Sequence, residues 1–351
     1  MKTRLLDFIV CPACHGRLVL EPGARSAPDG EVIEGTLPCR DCSRRYPIVR
    51  GVPRLLPATL SDDKQKTAEA FGWEWQHFTE LHQEYEAQFL DWVWPIQPED
   101  FKDKVVLDAG CGLGRHSYLA AGFGAREVIG IDLSAAVDIA YRHVGSLPNA
   151  HVIQADIYQP PFRTAGDRQF DFIYSIGVLH HLPDPRGGFM SLVRLLKPGG
   201  TIFGWVYGHE NNAVVHYGIN PVRKYLTAKL PPPVLRVLSW PLAVLMQGLV
   251  KGVYRPLAGT SVFRFLPSHD YLYSLSAFRF NHNYSIVFDH LVAPTAFYIK
   301  REAFASWFAD AGLEDVEISW RNQNSWRGRG RRLLAGDREG AAERRVSVDA
   351  S

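Results

Sequence analysis

The stretch Val105-Val106-Leu107-Asp108-Ala109-Gly110-Cys111-Gly112-Leu113-Gly114-Arg115 decides the fold. A β-branched apolar run ends in an acid, and three alternate glycines then lead into a helical pattern. That is a strand turning into a helix through a loop that lets a ligand approach the backbone closely. The spacing separates two ligand classes. A dinucleotide fingerprint, G-x-G-x-x-G, needs glycine at position 115, where this chain has Arg115. A pyrophosphate gains nothing from a carboxylate two residues before the first glycine, because anions prefer bare N–H groups at a helix start. Asp108 suits a ligand with a cationic end.

Working outward, further apolar runs follow at helix-plus-strand spacing. Residues 127–132 end in Asp132, 24 positions beyond Asp108, which leaves room for a helix between parallel strands. A carboxylate there is placed to accept both hydroxyls of a ribose. Residues 151–155 end at Asp156-Ile157, and residues 170–176 open into Gly177-Val178-Leu179-His180-His181-Leu182-Pro183-Asp184-Pro185. A helix follows, closed by Lys197-Pro198-Gly199-Gly200, and then a fifth strand at 201–207. Strands alternating with helices of about 10 to 15 residues argue for a parallel sheet covered on both faces. Ligands of such sheets sit beyond the strand C-termini, where Asp108, Asp132 and Asp156 all fall.

The D-x-G-x-G-x-G loop, the V-L-H-H-L-P-D-P segment and the L-K-P-G-G turn, in this order, resemble the small-molecule branch of class I S-adenosylmethionine-dependent methyltransferases. The resemblance implies an α/β fold: a Rossmann-like seven-stranded sheet with helices on both faces. It also implies cofactor contacts at Asp108, Gly110, Cys111, Gly112, Gly114, Asp132, Leu133, Asp156, Ile157, Ser175 and Gly177. In the family the acid at position 156 meets the adenine amino group. Cys111 reads as a small side chain filling space beside the cofactor.

A second signal opens the chain. Cys11-x-x-Cys14 and Cys39-x-x-Cys42 are separated by 24 residues rich in proline and glycine. Two such knuckles close a tetrahedral thiolate site, and four sulfurs leave no open position, so a structural zinc is expected. With no signal peptide before Cys11 the chain reads as cytoplasmic, which argues against disulfides. Together with 45–57, Arg-Tyr-Pro-Ile-Val-Arg-Gly-Val-Pro-Arg-Leu-Leu-Pro, the knuckles resemble the zinc-ribbon proteins that activate tRNA and release-factor methyltransferases. A ribbon this small depends on its metal for folding energy.

These signals divide the 351 residues into a zinc ribbon (1–58), an aromatic-rich helical cap (59–100), a cofactor half (101–207), a substrate-side insertion (208–290), the end of the core (291–334) and a disordered tail (335–351). In the cap, Phe71, Trp75 and Phe78, then Tyr85, Phe89 and Trp92, recur at helical spacing. The end of the core carries a helix at 300–312 and a hairpin turning at Asn322-Gln323-Asn324. Within the insertion, the apolar run 234–250 contains Arg236, Ser239, Pro241 and Gln247. It is short for a membrane span, so a buried helical pair or greasy substrate cover is expected. Peripheral lipid contact is a further option, because Arg223, Lys224, Lys229, Lys251 and Arg255 flank the run.

A sulfonium methyl is already electrophilic, so the protein has mainly to align the acceptor and exclude water. A base is required only where the acceptor must lose a proton. His181 and His209 are the expected candidates, with Tyr207 and Glu210 nearby. The resemblance favours an O, N or C nucleophile on a small or amphiphilic metabolite. One alternative is a base of rRNA or tRNA, against which stands a net charge of only +2. Another is a cofactor-binding scaffold whose ribbon docks a protein partner.

Overall fold

The computed structural model describes residues 1–163, 170–213 and 215–334. The tail expected at 335–351 lies outside the described residues.

The first four strands, β1 (Arg25–Ser26), β2 (Val32–Pro38), β3 (Arg45–Val49) and β4 (Val52–Leu55), form an antiparallel ribbon. Two helices follow, α1 (Asp62–His77) and α2 (Tyr85–Val93). Alternation then begins: β5 (Val105–Ala109), α3 (Arg115–Gly122), β6 (Glu127–Asp132), α4 (Val137–Val144), β7 (Ala150–Ala155), β8 (Phe170–Ile176), α5 (Pro185–Val193) and β9 (Leu196–Tyr207). The insertion holds α6 (Asn220–Tyr225) and α7 (Pro232–Leu249). A π turn at Val250–Tyr254 carries α7 on into α8 (Arg255–Leu257), and α9 (His269–Leu275) and α10 (Phe280–Val292) complete it. The chain closes with α11 (Arg301–Asp310), β10 (Leu313–Arg321) and β11 (Ser325–Arg332).

The main sheet runs β4-β7-β6-β5-β8-β9-β11-β10. From β7 to β9 it is parallel; β11 inserts antiparallel between β9 and β10. Every residue of β5 is buried, as a strand covered on both faces requires. Period-2 alternation sends Val105, Leu107 and Ala109 into one core with α5 and α11, and Val106 into the other with α2, α3 and α4. The closing hairpin forms as expected, its turn made by Asn322 and Gln323 at φ +49° and +52°.

Two features go beyond the sequence reading. The ribbon is no appended bead: β4 pairs in parallel with β7, extending the main sheet to eleven strands, and Leu37, Ile48 and Leu55 enter the same core as Ile153 and Phe162. Its face is occupied by its own chain. The Met1 ammonium donates to Val32 O at 2.7 Å and to the Tyr141 hydroxyl at 3.2 Å, and Arg4 pairs with Glu127 at 2.9 Å. The second is α7. It is not a fully buried member of a helical pair: only a stripe, with Leu235, Ser239 and Ala243, packs inward. With its continuation, Pro232–Leu257, it is apolar and long enough to cross a membrane by length and composition.

The insertion returns where it left. Ile299 N donates to Tyr207 O at 2.8 Å and Phe297 N to His180 O at 2.8 Å, closing a neck beside β9. Above the strand tips α10 packs on α1, with Trp73 against Phe288 and Phe78 against Tyr284, both at 5.2 Å between ring centroids.

Candidate active site

The turn after β5 needs its glycines. Gly110, Gly112 and Gly114 have φ of +89°, +52° and +84°, and a Cβ at Gly110 would also collide with the Val178 side chain. The loop is stapled to the end of β6: Gly110 N and Cys111 N donate to Ile131 O at 2.8 and 2.9 Å, and Gly112 N donates to Asp132 Oδ2 at 2.9 Å. Ser134 adds its N–H and its hydroxyl to Asp132 Oδ1 at 2.8 and 2.7 Å. Burial pushes the Asp132 carboxyl up, against the pull of these donors. A carboxylate has roughly four acceptor sites, so beside these three donors Asp132 keeps acceptor capacity for an incoming hydroxyl.

Beyond the tips of β5, β6, β7 and β8 lies a cavity of about 580 Å³. Of the sequence-predicted residues, Gly110, Cys111, Gly112, Asp132, Leu133, Asp156, Ile157, Gly177 and His181 line it. Asp108, Gly114, Ser175 and His209 do not. Asp108 shares the strand face of Val106, which turns its side chain under α3, where Ser117 Oγ donates to it at 2.7 Å. Burial there raises its carboxyl to about 7, so a cation at the loop would favour its charged form without touching it. Ser175 ties β8 to β5 through Ala109 O at 2.8 Å. Asp156 lines the cavity but is engaged: Lys64 Nζ of α1 lies 2.7 Å from Oδ2, and Tyr158 N donates to Oδ1 at 3.0 Å. An adenine amino group there would have to share it. Cys111 is buried, and desolvation pushes its thiol well up, in keeping with a space-filling role.

The far wall comes from elements too distant in sequence to be read together. Glu74 of α1 is 1% exposed, and its Oε2 has no partner among the described residues. Burial, then the charge of Asp289, pushes its carboxyl well up. Asp289 of α10 accepts from the Tyr207 hydroxyl at 3.2 Å. Arg115 lies over the rings of Tyr85, Trp92 and Trp75, at 4.8, 5.2 and 5.6 Å. The aromatic cap spacing and the substrate-side insertion were the sequence signals for this wall. His181 lines the cavity with its Nδ1 2.6 Å from Thr295 O, an arrangement that makes Nδ1 the donor and leaves Nε2 a lone pair. Burial lowers its pKa. His209 stands outside the cavity against His216, 4.6 Å between centroids. Glu210 caps α11 through Arg301 N and holds Trp326 Nε1, each at 3.0 Å.

The four ribbon thiols converge, all Sγ atoms within 4.8 Å of one another. The Cys11–Cys42 and Cys14–Cys39 separations are 3.8 and 3.5 Å. Tetrahedral zinc with Zn–S near 2.3 Å sets sulfurs roughly 3.8 Å apart, so the donor set and its size fit structural zinc.

The buried histidines predict acid lability. Desolvation lowers His116, His180, His181, His290 and, to about 3, His282. The folded state therefore binds fewer protons than the unfolded chain below pH 6.5, and stability falls as pH falls. His282 alone contributes about 2 kcal/mol of loss between pH 6.5 and 5. Asp108, Asp132 and Glu74, with raised pKa values, act in the opposite sense but are outnumbered. Thermal melting between pH 7.5 and 5 should show Tm dropping with acid, and a flat profile would contradict these placements.

The parallel sheet, the glycine loop and the acids Asp132 and Asp156 make a doubly wound α/β domain whose cavity lies beyond the strand C-termini. Residues 107–204 match the family model described as Methyltransferase domain, and residues 2–51 match that of Trm112p-like protein. Among curated relatives, a tRNA U34 carboxymethyltransferase of Cellvibrio japonicus is 30% identical over 164 residues, 43% of this chain and 49% of that protein. One from Methylococcus capsulatus is 42% identical over 101 residues, 28% and 30% of the two chains. The chain thus spans half or less of these relatives' length. A chain from the Haloferax volcanii complex of the Trm112 methyltransferase activator with a methyltransferase superposes at TM-score 0.43 and 16% identity, covering 76% of this chain and 97% of that one.

Proposed function

We propose that this chain is an S-adenosylmethionine-dependent methyltransferase whose acceptor is a base of tRNA. The observation that carries the enzymatic reading is the convergence of the Gly110–Gly112 loop, Asp132 and Asp156 on one cavity that continues under α1 and α10. When bound, the cofactor supplies an electrophilic methyl on sulfur. The loop and Asp132 would hold it, while the roof of α1 and α10 excludes water from the transfer.

The tRNA acceptor is supported by the relatives' names and by the chemistry of the far wall. Phe71, Trp75, Trp92 and Tyr207 give flat apolar surfaces of the kind on which an extruded base stacks. Glu74, Asp289 and the His181 Nε2 are acceptors suited to a ring N–H or a hydroxyl, and Asp289 or His181 would take its proton. The small-molecule acceptor expected from the sequence finds no support among these relatives. Their name specifies a carboxymethyl group; the methyl reading rests on the family model over residues 107–204. An amphiphilic acceptor stands as a second reading, favoured by the apolar part of the lining, including Leu242, Met246 and Leu272.

The test is incubation of metal-replete protein with methyl-labelled cofactor and either total tRNA or a lipid extract. Label in tRNA is expected. Label only in lipid would replace the first reading with the second, and label in neither would remove both. With the labelled acceptor, Asp289→Asn should slow single turnover by about a hundredfold with cofactor affinity unchanged. An unchanged rate would dismiss Asp289 as the proton acceptor.

A further inference from the structure

We infer that the exposed face of α7 rests on an anionic lipid surface, in the plane of the membrane. The helix is amphipathic in the reverse of the usual sense. Its inward stripe is modest, whereas Val237 and Leu245 on the outward face are 72% and 70% exposed. Val234, Leu238, Trp240 and Leu249 of the same helix are exposed as well. A contiguous apolar surface of this kind marks an interaction site.

Charge identifies the partner. From residue 211 to residue 269 the chain has seven Lys and Arg and no Asp or Glu. Lys229 precedes α7 and Lys251, Arg255 and Arg264 follow it; all four are exposed, and none pairs with a carboxylate among the described residues. An exposed apolar helix flanked by cations that no described carboxylate pairs is complementary to acyl chains beneath anionic headgroups. A second copy of the chain fits poorly, because a two-fold contact would press this acid-free segment against itself. RNA would use the cations but leave the apolar face uncovered.

The helix lies on the membrane and does not cross it. Its inner stripe is committed to α10: Leu235 packs with Phe288 and Val292, and Asn283 Nδ2 donates to Gln247 Oε1 at 2.6 Å. Leaving the protein would strip those partners away. Because Leu242 and Met246 of the same helix line the cavity, the docked face and the acceptor site share one wall.

Flotation of the full-length, metal-replete protein with phosphatidylcholine vesicles, and with vesicles containing about one-third phosphatidylglycerol, tests this. Co-flotation with the anionic vesicles alone is expected, reversed by salt. The double variant Val237→Glu/Leu245→Glu should bind those vesicles about tenfold or more weakly, with S-adenosylmethionine uptake and far-ultraviolet circular dichroism unchanged. Absence of co-flotation, or equal binding by the double variant, would overturn the inference. So would a dimer, or a tRNA complex, that the double variant disrupts in the absence of any vesicle binding. The acceptor's identity does not enter any of these outcomes.

Discussion

Exchange of Asp132 for alanine is expected to weaken S-adenosylmethionine binding about a hundredfold or more. Two losses combine. The carboxylate's remaining acceptor site would hold a ribose hydroxyl, a charge-assisted hydrogen bond worth about 1.5–3 kcal/mol. The same carboxylate anchors the glycine loop through Gly112 N and the β6–α4 turn through Ser134, so its removal also loosens the surface the cofactor lies on. Asp132→Asn separates the contributions, because an amide oxygen keeps an acceptor and loses the charge. It should fall between wild type and Asp132→Ala in titration calorimetry. Equal affinities for all three would mean that the loop, and not the acid, positions the ligand.

The second large effect concerns the metal. Stripping zinc, or replacing Cys39 with serine, is expected to lower Tm by about 10 °C or more. The reach of that loss follows from β4. Its parallel pairing with β7, Arg54 opposite Gln154 and Leu55 opposite Ala155, joins the ribbon to the strand that delivers Asp156. Arg54 also pairs with Asp138 on α4. Ribbon and cofactor half should therefore melt in one transition, and metal removal should weaken cofactor binding as well. Two separate transitions, with an unaltered upper Tm after verified metal loss, would show the ribbon to be energetically independent.

Much of the fold is legible in the chain because its signals are local. The strand-turn-helix at 105–115 announces itself through β-branched residues and glycines that the backbone requires. The closing hairpin does so through Asn322-Gln323, and the thiolate site through its two knuckles. What escapes is what depends on the third dimension. Asp108 reads as a strand-tip acid, yet alternation along β5 turns it beneath α3 to Ser117. Lys64 carries no signal in the sequence, yet it pairs with Asp156 from α1. Glu74 and Asp289, on helices more than two hundred residues apart, meet only because the insertion folds back over the cap. His209 follows the fifth strand as a base might, but the neck at Gly208 and Ile299 carries it away from the cavity. The ribbon's cysteines reveal the metal and say nothing of β4 joining the sheet. The apolar run of α7 shows composition without showing which half is covered.

The central claim is that the cavity over the strand tips takes a sulfonium-bearing nucleoside. Calorimetric titration of the folded, zinc-loaded protein with S-adenosylmethionine and S-adenosylhomocysteine tests it most directly. One-to-one uptake that Asp132→Ala abolishes or reduces about a hundredfold is the predicted result. No measurable uptake of either compound by protein with a sharp thermal transition and bound metal would contradict the account.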